Sequence, residues 1–236
     1  MSHVASPILP PKLKRAAPFS AIYASICARQ LKRHKYDRSG SVSQLFEEEE
    51  LKLVAIVGSP RLKGNTNYLV DQALEEAAKL GAQTEKLVIS QYEVNPCLGH
   101  EDCASFDSCL QKDDAGWILD KFCQADGIIL ATPVYYYNVS AQMKAFIDRN
   151  YFLYKHDRKS RARAVSIIVV AENEGIEDTL HTLKQFVDES FDIKEDRRFI
   201  VTGYAGRLGD AKNNLPLVEE ARKLGRQMVA SLKDGS

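Results

Sequence analysis

The sequence predicts an α/β fold, a doubly wound five-stranded parallel sheet with helices on both faces. Three observations predict it. Short runs rich in Val and Ile recur without polar alternation, as strands buried on both faces require. Amphipathic helical patterns separate these runs, so consecutive strands are parallel and joined by crossovers. Polar loops marked by Gly or Pro follow the strands, and ligands of such sheets bind at that edge. The expected strand order is 2-1-3-4-5.

The first strand is Leu53 to Val57, ended by Gly58. A loop from Gly58 to Thr66 follows, and behind it a helix with Leu69, Ala73, Leu74, Ala77 and Leu80 on one side and Gly81 as its stop. Strand, polar loop and helix N-terminus together suit either a phosphate site, because first-turn N–H groups lack partners and the dipole adds positive charge, or an ordinary βα turn with no ligand. Ser59, Asn65 and Thr66 can donate, and Arg61 can grip a phosphate with two N–H groups. The spacing before Gly64 is neither that of a Walker A loop nor of Gly-x-Gly-x-x-Gly.

Thr84 to Ser90 reads as the second strand, and residues 91–113 as a long functional connection. Asp113 or Asp114 caps the next helix, in which Cys123 sits at core spacing. The third strand, Gly127 to Thr132, ends at Pro133, and the tyrosines of Val134-Tyr135-Tyr136-Tyr137-Asn138 form an aromatic platform at its exit. Ser140 caps a helix ending at Asp148-Arg149. Arg149 and the basic, aromatic stretch 150–162 suit either a subunit interface or a nucleotide phosphate. Val165 to Val170 is the fourth strand, with Ala171 and Glu172 at its exit, and Phe199 to Thr202 is the fifth. The last helix begins near Pro216. The exits at Gly58, Thr132 and Ala171 are expected side by side.

Length and charge bound the rest. The 236 residues suit one domain with an appendage: residues 1–50 as a basic arm and linker, residues 51–236 as the folded domain. Residues 1–44 carry eight Lys/Arg against one acid, Asp37, with seven serines and four prolines. That composition fits a partner-docking or disordered arm, and also an organellar transit peptide. Over the whole chain 32 cations balance 32 acids, so no nucleic-acid footprint appears. No apolar run is long enough to span a membrane. Of five cysteines, Cys97, Cys103 and Cys109 cluster within thirteen residues, which favours metal or thiol chemistry in a reducing compartment, with the cytoplasm expected.

GSPRLKGNT, together with ATPVYYYNVSAQMKAFIDR, resembles the flavodoxin-like NAD(P)H-dependent oxidoreductases that bind flavin mononucleotide (FMN), and the cysteine segment resembles their iron–sulfur flavoprotein branch. The resemblance covers about residues 52–232. It implies that Ser59, Arg61, Gly64, Asn65 and Thr66 hold the flavin phosphate. It also implies that Pro133, Val134, Tyr135, Tyr136 and Asn138 line the ring, with Ala171 and Glu172 at the adjoining exit. NAD(P)H as donor, a small-molecule or protein acceptor such as a quinone, and a homodimer or homotetramer are further expectations. The flavin carries the chemistry, so no acid–base residue is indispensable. The branch's compact motif has four cysteines, whereas here His100 takes the second place among Cys97, His100, Cys103 and Cys109. Three readings follow: ligands of a [4Fe-4S] cluster, a zinc site, or a loop without metal. The alternative function is a non-catalytic interaction or sensor subunit docked through the basic arm.

Overall fold

The computed structural model describes residues 50–234; the basic arm expected over residues 1–50 therefore lies almost wholly outside the described residues. Five parallel strands form the sheet: β1 (Lys52–Val57), β2 (Gln83–Val88), β3 (Gly127–Tyr135), β5 (Ala164–Ala171) and β6 (Arg198–Tyr204). A two-residue strand, β4 (Asn138–Val139), pairs antiparallel with the end of β3. The order is β2-β1-β3-β5-β6. With β4 set aside, this is the expected 2-1-3-4-5 order.

The helices are α1 (Asn65–Lys79), α2 (Ala115–Gln124), α3 (Ala141–Arg149), α4 (Tyr151–Lys155), α5 (Ile176–Ser190), α6 (Asp210–Asn213) and α7 (Leu215–Lys233). One face of the sheet is covered by α1 and α7, whose Leu69, Ala73, Ala77, Ala221 and Met228 are fully buried. The other is covered by α2, α3 and α5 around Phe122, which lies 5.5 Å from Phe146, 6.1 Å from Phe186 and 5.2 Å from Phe191. Such aromatic pairs add roughly 0.5–1.5 kcal/mol each beyond their buried area.

Local rules account for the boundaries. Gly81, at φ +88°, ends α1: its N–H reaches Ala78 O at 3.0 Å and the Ala82 N–H reaches Ala77 O at 3.2 Å, the paired bonds of a Schellman stop. Ser140 caps α3 as expected, its Oγ accepting from Met143 N at 3.2 Å. Asn214 caps α7 by accepting from Leu217 N at 3.2 Å, one residue before the helix that holds Pro216 in its first turn.

Three boundaries differ from expectation. β2 stops at Val88, because Ile89–Gln91 forms a 3₁₀ turn that starts the long connection. β3 continues through Pro133 to Tyr135. Its pairing with β1 ends at Ala131 while that with β5 runs to Pro133, so on the β1 side proline's missing N–H costs no ladder bond. The stretch 150–162 contains the short helix α4, with Phe152 and Leu153 buried.

Candidate flavin edge and cysteine loop

The exits of β1, β3 and β5 lie side by side, because those strands are neighbours in the sheet. Gly58 N–H extends the pairing to Ala131 O at 2.8 Å. A side chain at Gly58 is excluded: a Cβ there would sit 2.6 Å from Met143 Cβ and 2.8 Å from Ser140 Oγ. The closeness is used. Ser140 Oγ donates to Gly58 O at 2.6 Å, and Ser140 N–H donates to Thr132 Oγ1 at 3.1 Å. One buried serine thus fixes the end of β1, the end of β3 and the start of α3.

Beyond Gly58 the loop folds on the Arg61 carbonyl. Gly64 N–H reaches it at 2.8 Å and Asn67 Nδ2 at 3.0 Å. Ser59 is buried, and its Oγ accepts from Arg61 N at 3.3 Å. Gly64 precedes α1 with no side chain to cap it, and the first turn holds no acid. The Arg61 side chain is exposed and forms no ion pair among the described residues. An uncapped helix N-terminus beside an unpaired guanidinium suits a phosphate. Thr66 is buried at 2% exposure in that first turn.

The structure gives Asn65 a different task from the phosphate contact its amide suggested. Its Nδ2 donates to Ala205 O at 3.1 Å and Arg207 O at 2.8 Å, while its Oδ1 accepts from Gly209 N at 3.1 Å and Ala211 N at 3.2 Å. The side chain is committed to the β6–α6 loop, which leaves the Asn65 backbone N–H for a phosphate.

At the β3 exit, Val134 pairs with Val139 and Tyr135 with Asn138, so Tyr136 and Tyr137 form a two-residue turn. Both have positive φ, 53° and 61°. Such turns favour Asn-Gly, and tyrosine in the left-handed region is strained by about 1–3 kcal/mol. Neighbours hold the turn. Tyr137 Oη donates to Glu174 Oε2 at 2.8 Å, a bond that with the carboxylate's charge raises the phenol pKa. Gly175, itself at φ 85°, admits the turn: a Cβ there would meet Val134 Cγ1 at 2.8 Å and Tyr137 Cα at 2.9 Å. Tyr136 is fully exposed and Tyr135 40% exposed, so the platform faces outward. Asn138 Oδ1 accepts its neighbour Val139 N–H at 2.8 Å. Ala171 is buried and its carbonyl accepts from Ala205 N at 2.8 Å, while Glu172 is exposed with its Cγ under Gly206. Ser59, Arg61, Gly64, Thr66, Pro133, Val134, Tyr135, Tyr136, Asn138, Ala171 and Glu172 thus all belong to one edge of the sheet.

The cysteine loop leaves β2 and returns at α2. Cys103 is buried, and burial first, then the nearby Cys109 and Cys97, push its thiol pKa up. Cys123 is likewise pushed up, to about 11, by its partial burial against the core. Cys97 and Cys109 both lie near enough to Cys103 to act on its thiol. Yet among the described residues no three His, Cys, Asp or Glu side chains gather closely enough to hold a metal ion. The donor chemistry of Cys97, His100, Cys103 and Cys109 suits iron–sulfur or zinc, but the described arrangement does not form one coordination sphere.

Arg149, weighed in sequence as an interface or phosphate residue, is neither in this chain. It is 2% exposed and pairs with Asp113, whose side chain is 1% exposed. The sequence hid this because a charged residue at a helix end normally reads as solvated. A cleft of about 660 Å³ lies by α3 and α4, lined by Cys97, Gly99, Asn150, Tyr151 and Tyr154 among others, and by none of the residues of the flavin edge.

A family model described as NADPH-dependent FMN reductase matches residues 51–195. The chain is 34% identical over 189 residues to an iron-sulfur flavoprotein of Methanocaldococcus jannaschii, covering 78% of this chain and 98% of the relative. It is 35% identical over 139 residues to an iron-sulfur flavoprotein of Methanosarcina thermophila, covering 58% and 73%. Its fold is similar to that of an NAD(P)H:quinone oxidoreductase from Methanothermobacter marburgensis, with TM-score 0.59 and 14% identity over 76% of this chain and 96% of that one. The chain belongs to the NADPH-dependent FMN reductase family and is an FMN-dependent oxidoreductase of the flavodoxin-like fold.

Proposed function

We propose that the chain holds FMN along the edge formed by the β1, β3 and β5 exits, and passes reducing equivalents from NAD(P)H to a small acceptor such as a quinone. The observation that carries this is the uncapped start of α1, with unpaired Arg61 beside it, locked through Ser140 to the exit of β3 and its strained tyrosine turn. The N–H groups of Asn65 and Thr66, the Ser59 hydroxyl and the Arg61 guanidinium bind the phosphate. Pro133, Val134, Tyr135, Tyr136 and Asn138 orient the ring, and Tyr136 and Tyr135 exclude water from its open face. Ala171 and Glu172 close the far side. Bound FMN supplies the hydride and electron chemistry. The backbone N–H groups of the turn stabilise negative charge that develops there, as fixed dipoles do at any such centre.

Cys97, His100, Cys103 and Cys109 are the donor set for iron or zinc. The electron route proposed here runs through the flavin alone, because these side chains do not share a coordination sphere. The relatives named iron-sulfur flavoproteins support a test of iron and acid-labile sulfide in anaerobically purified protein. A cytoplasmic homodimer or homotetramer completes the reading. No helix among the described residues is long and apolar enough to cross a membrane.

The deciding experiment combines the absorbance spectrum with NAD(P)H oxidation in the presence of a quinone. Flavin bands and acceptor-dependent turnover are expected. A purified chain that stays colourless after incubation with FMN refutes the proposal.

A further inference from the structure

Residues 95–113 contain no strand and only one 3₁₀ turn, Cys103–Ser105. The segment is nevertheless held at both ends by one side chain. Arg149 Nη1 lies 2.5 Å from Asp113 Oδ2 and 3.1 Å from Asn95 O, and Nη2 lies 3.3 Å from Cys109 Sγ. The Asp113 carboxylate also accepts from Asn95 N at 3.0 Å, which closes the base of the loop. Further along, His156 Nε2 lies 2.9 Å from Phe106 O.

A buried ion pair is a poor device for stability alone, since desolvation offsets much of its attraction and an apolar pair packs as well. Its merit is fixed geometry. Arginine's planar fork reaches these acceptors from two nitrogens held in a fixed plane, whereas a lysine carries its three donors on a single freely rotating nitrogen. Arg149 also ends the helix whose other end is tied by Ser140 to Gly58. Nine residues of α-helix span roughly 13 Å. Helix α3 is therefore a strut between the β1–α1 loop and the cysteine loop.

We propose that Arg149 is the positioning residue of the cysteine loop: its buried pairing with Asp113, with N–H bonds to Asn95 O and Cys109 Sγ, fixes that sulfur relative to the flavin edge before any metal binds. The inference concerns the loop itself and stands apart from which metal, if any, the loop accepts. It requires no change in flavin affinity, so its failure and that of the proposed FMN edge are separately visible.

The test is hydrogen exchange on the FMN-loaded full chain, reduced and treated with chelator, read by mass spectrometry over peptides spanning 95–113. Wild type, Arg149→Lys, Arg149→Met and the double variant Arg149→Met with Asp113→Asn are compared. The wild-type loop is protected without metal. In all three variants its amides exchange at least tenfold faster, while β1 amides keep their protection. The double variant recovers the Tm lost by Arg149→Met alone, because no buried charge is left unpaired, yet its loop stays open. Failure of Arg149→Lys to restore protection separates a positioning fork from a mere charge. Two results overturn the proposal: a wild-type loop that exchanges freely until iron and sulfide are added, or a folded double variant whose loop is as protected as wild type.

Discussion

Arg61 is the side chain through which the proposed phosphate recognition is most directly tested. Its guanidinium is exposed and unpaired among the described residues, so removing it disturbs no internal contact. Arg61→Ala is expected to weaken FMN binding by about 1.5–3 kcal/mol, the size of a charge-assisted hydrogen bond, without lowering Tm; fluorescence titration reads the change. Gly58→Ala acts oppositely, through packing. The added methyl meets Met143 Cβ at 2.6 Å, so about 1–3 kcal/mol of stability is lost and flavin loading falls with it, as thermal unfolding with and without FMN will show. Cys123 offers a third check. With its thiol near pKa 11, it is expected to react with iodoacetamide at pH 8 far more slowly in the native protein than in the denatured chain. The core role of Cys123 was legible from its helical spacing. The task of Asn65 was not, because its partners, Ala205 to Ala211, are some 140 residues away in sequence and no local pattern announces them.

Among the elements, the β3–β4 hairpin and the cysteine loop are where local rules and tertiary structure part. Nothing in Tyr135-Tyr136-Tyr137-Asn138 suggests a two-residue turn, since its φ values suit Gly and Asn; only Gly175 and Glu174 packed against it reveal how it persists. Replacing Tyr136-Tyr137 with Asn-Gly is expected to raise stability by about 1–2 kcal/mol in denaturant titration and to reduce acceptor turnover. The cysteine loop answers to acid. Burial alone raises the Asp113 carboxyl, but hydrogen bonds from Arg149 and from the N–H groups of Asn95 and Ala115 outweigh it and hold the pKa below its ordinary value. Such a depressed value contributes stability above the unfolded pKa of about 3.9, and that stability is lost as pH falls through the folded value. The loop is therefore expected to stay closed at pH 5 and to open, ahead of the sheet, as pH drops below about 4, measured by exchange of residues 95–113. The clustered cysteines marked this loop in sequence, but the residue that fixes it lies 36 positions beyond Asp113.

For the whole molecule, the strand order and the side-by-side exits of β1, β3 and β5 were readable in advance, because uninterrupted Val/Ile runs separated by helical patterns allow few topologies. The seam between α1 and α7 was not, since it rests on small residues. Gly225 lies so close to α1 that a Cβ there would stand 2.1 Å from Ala73 O, and Arg222 and Arg226 reach across to Gln72 and Glu76. Those partners are 150 positions apart. Contacts of such separation close late in folding. The helix whose N-terminus is proposed to hold the phosphate thus gains its full backing only when the distant α7 arrives. In refolding followed by stopped-flow, quenching of added FMN will track the slowest phase, and a chain with Gly225→Leu will complete its early phases while failing to capture the flavin.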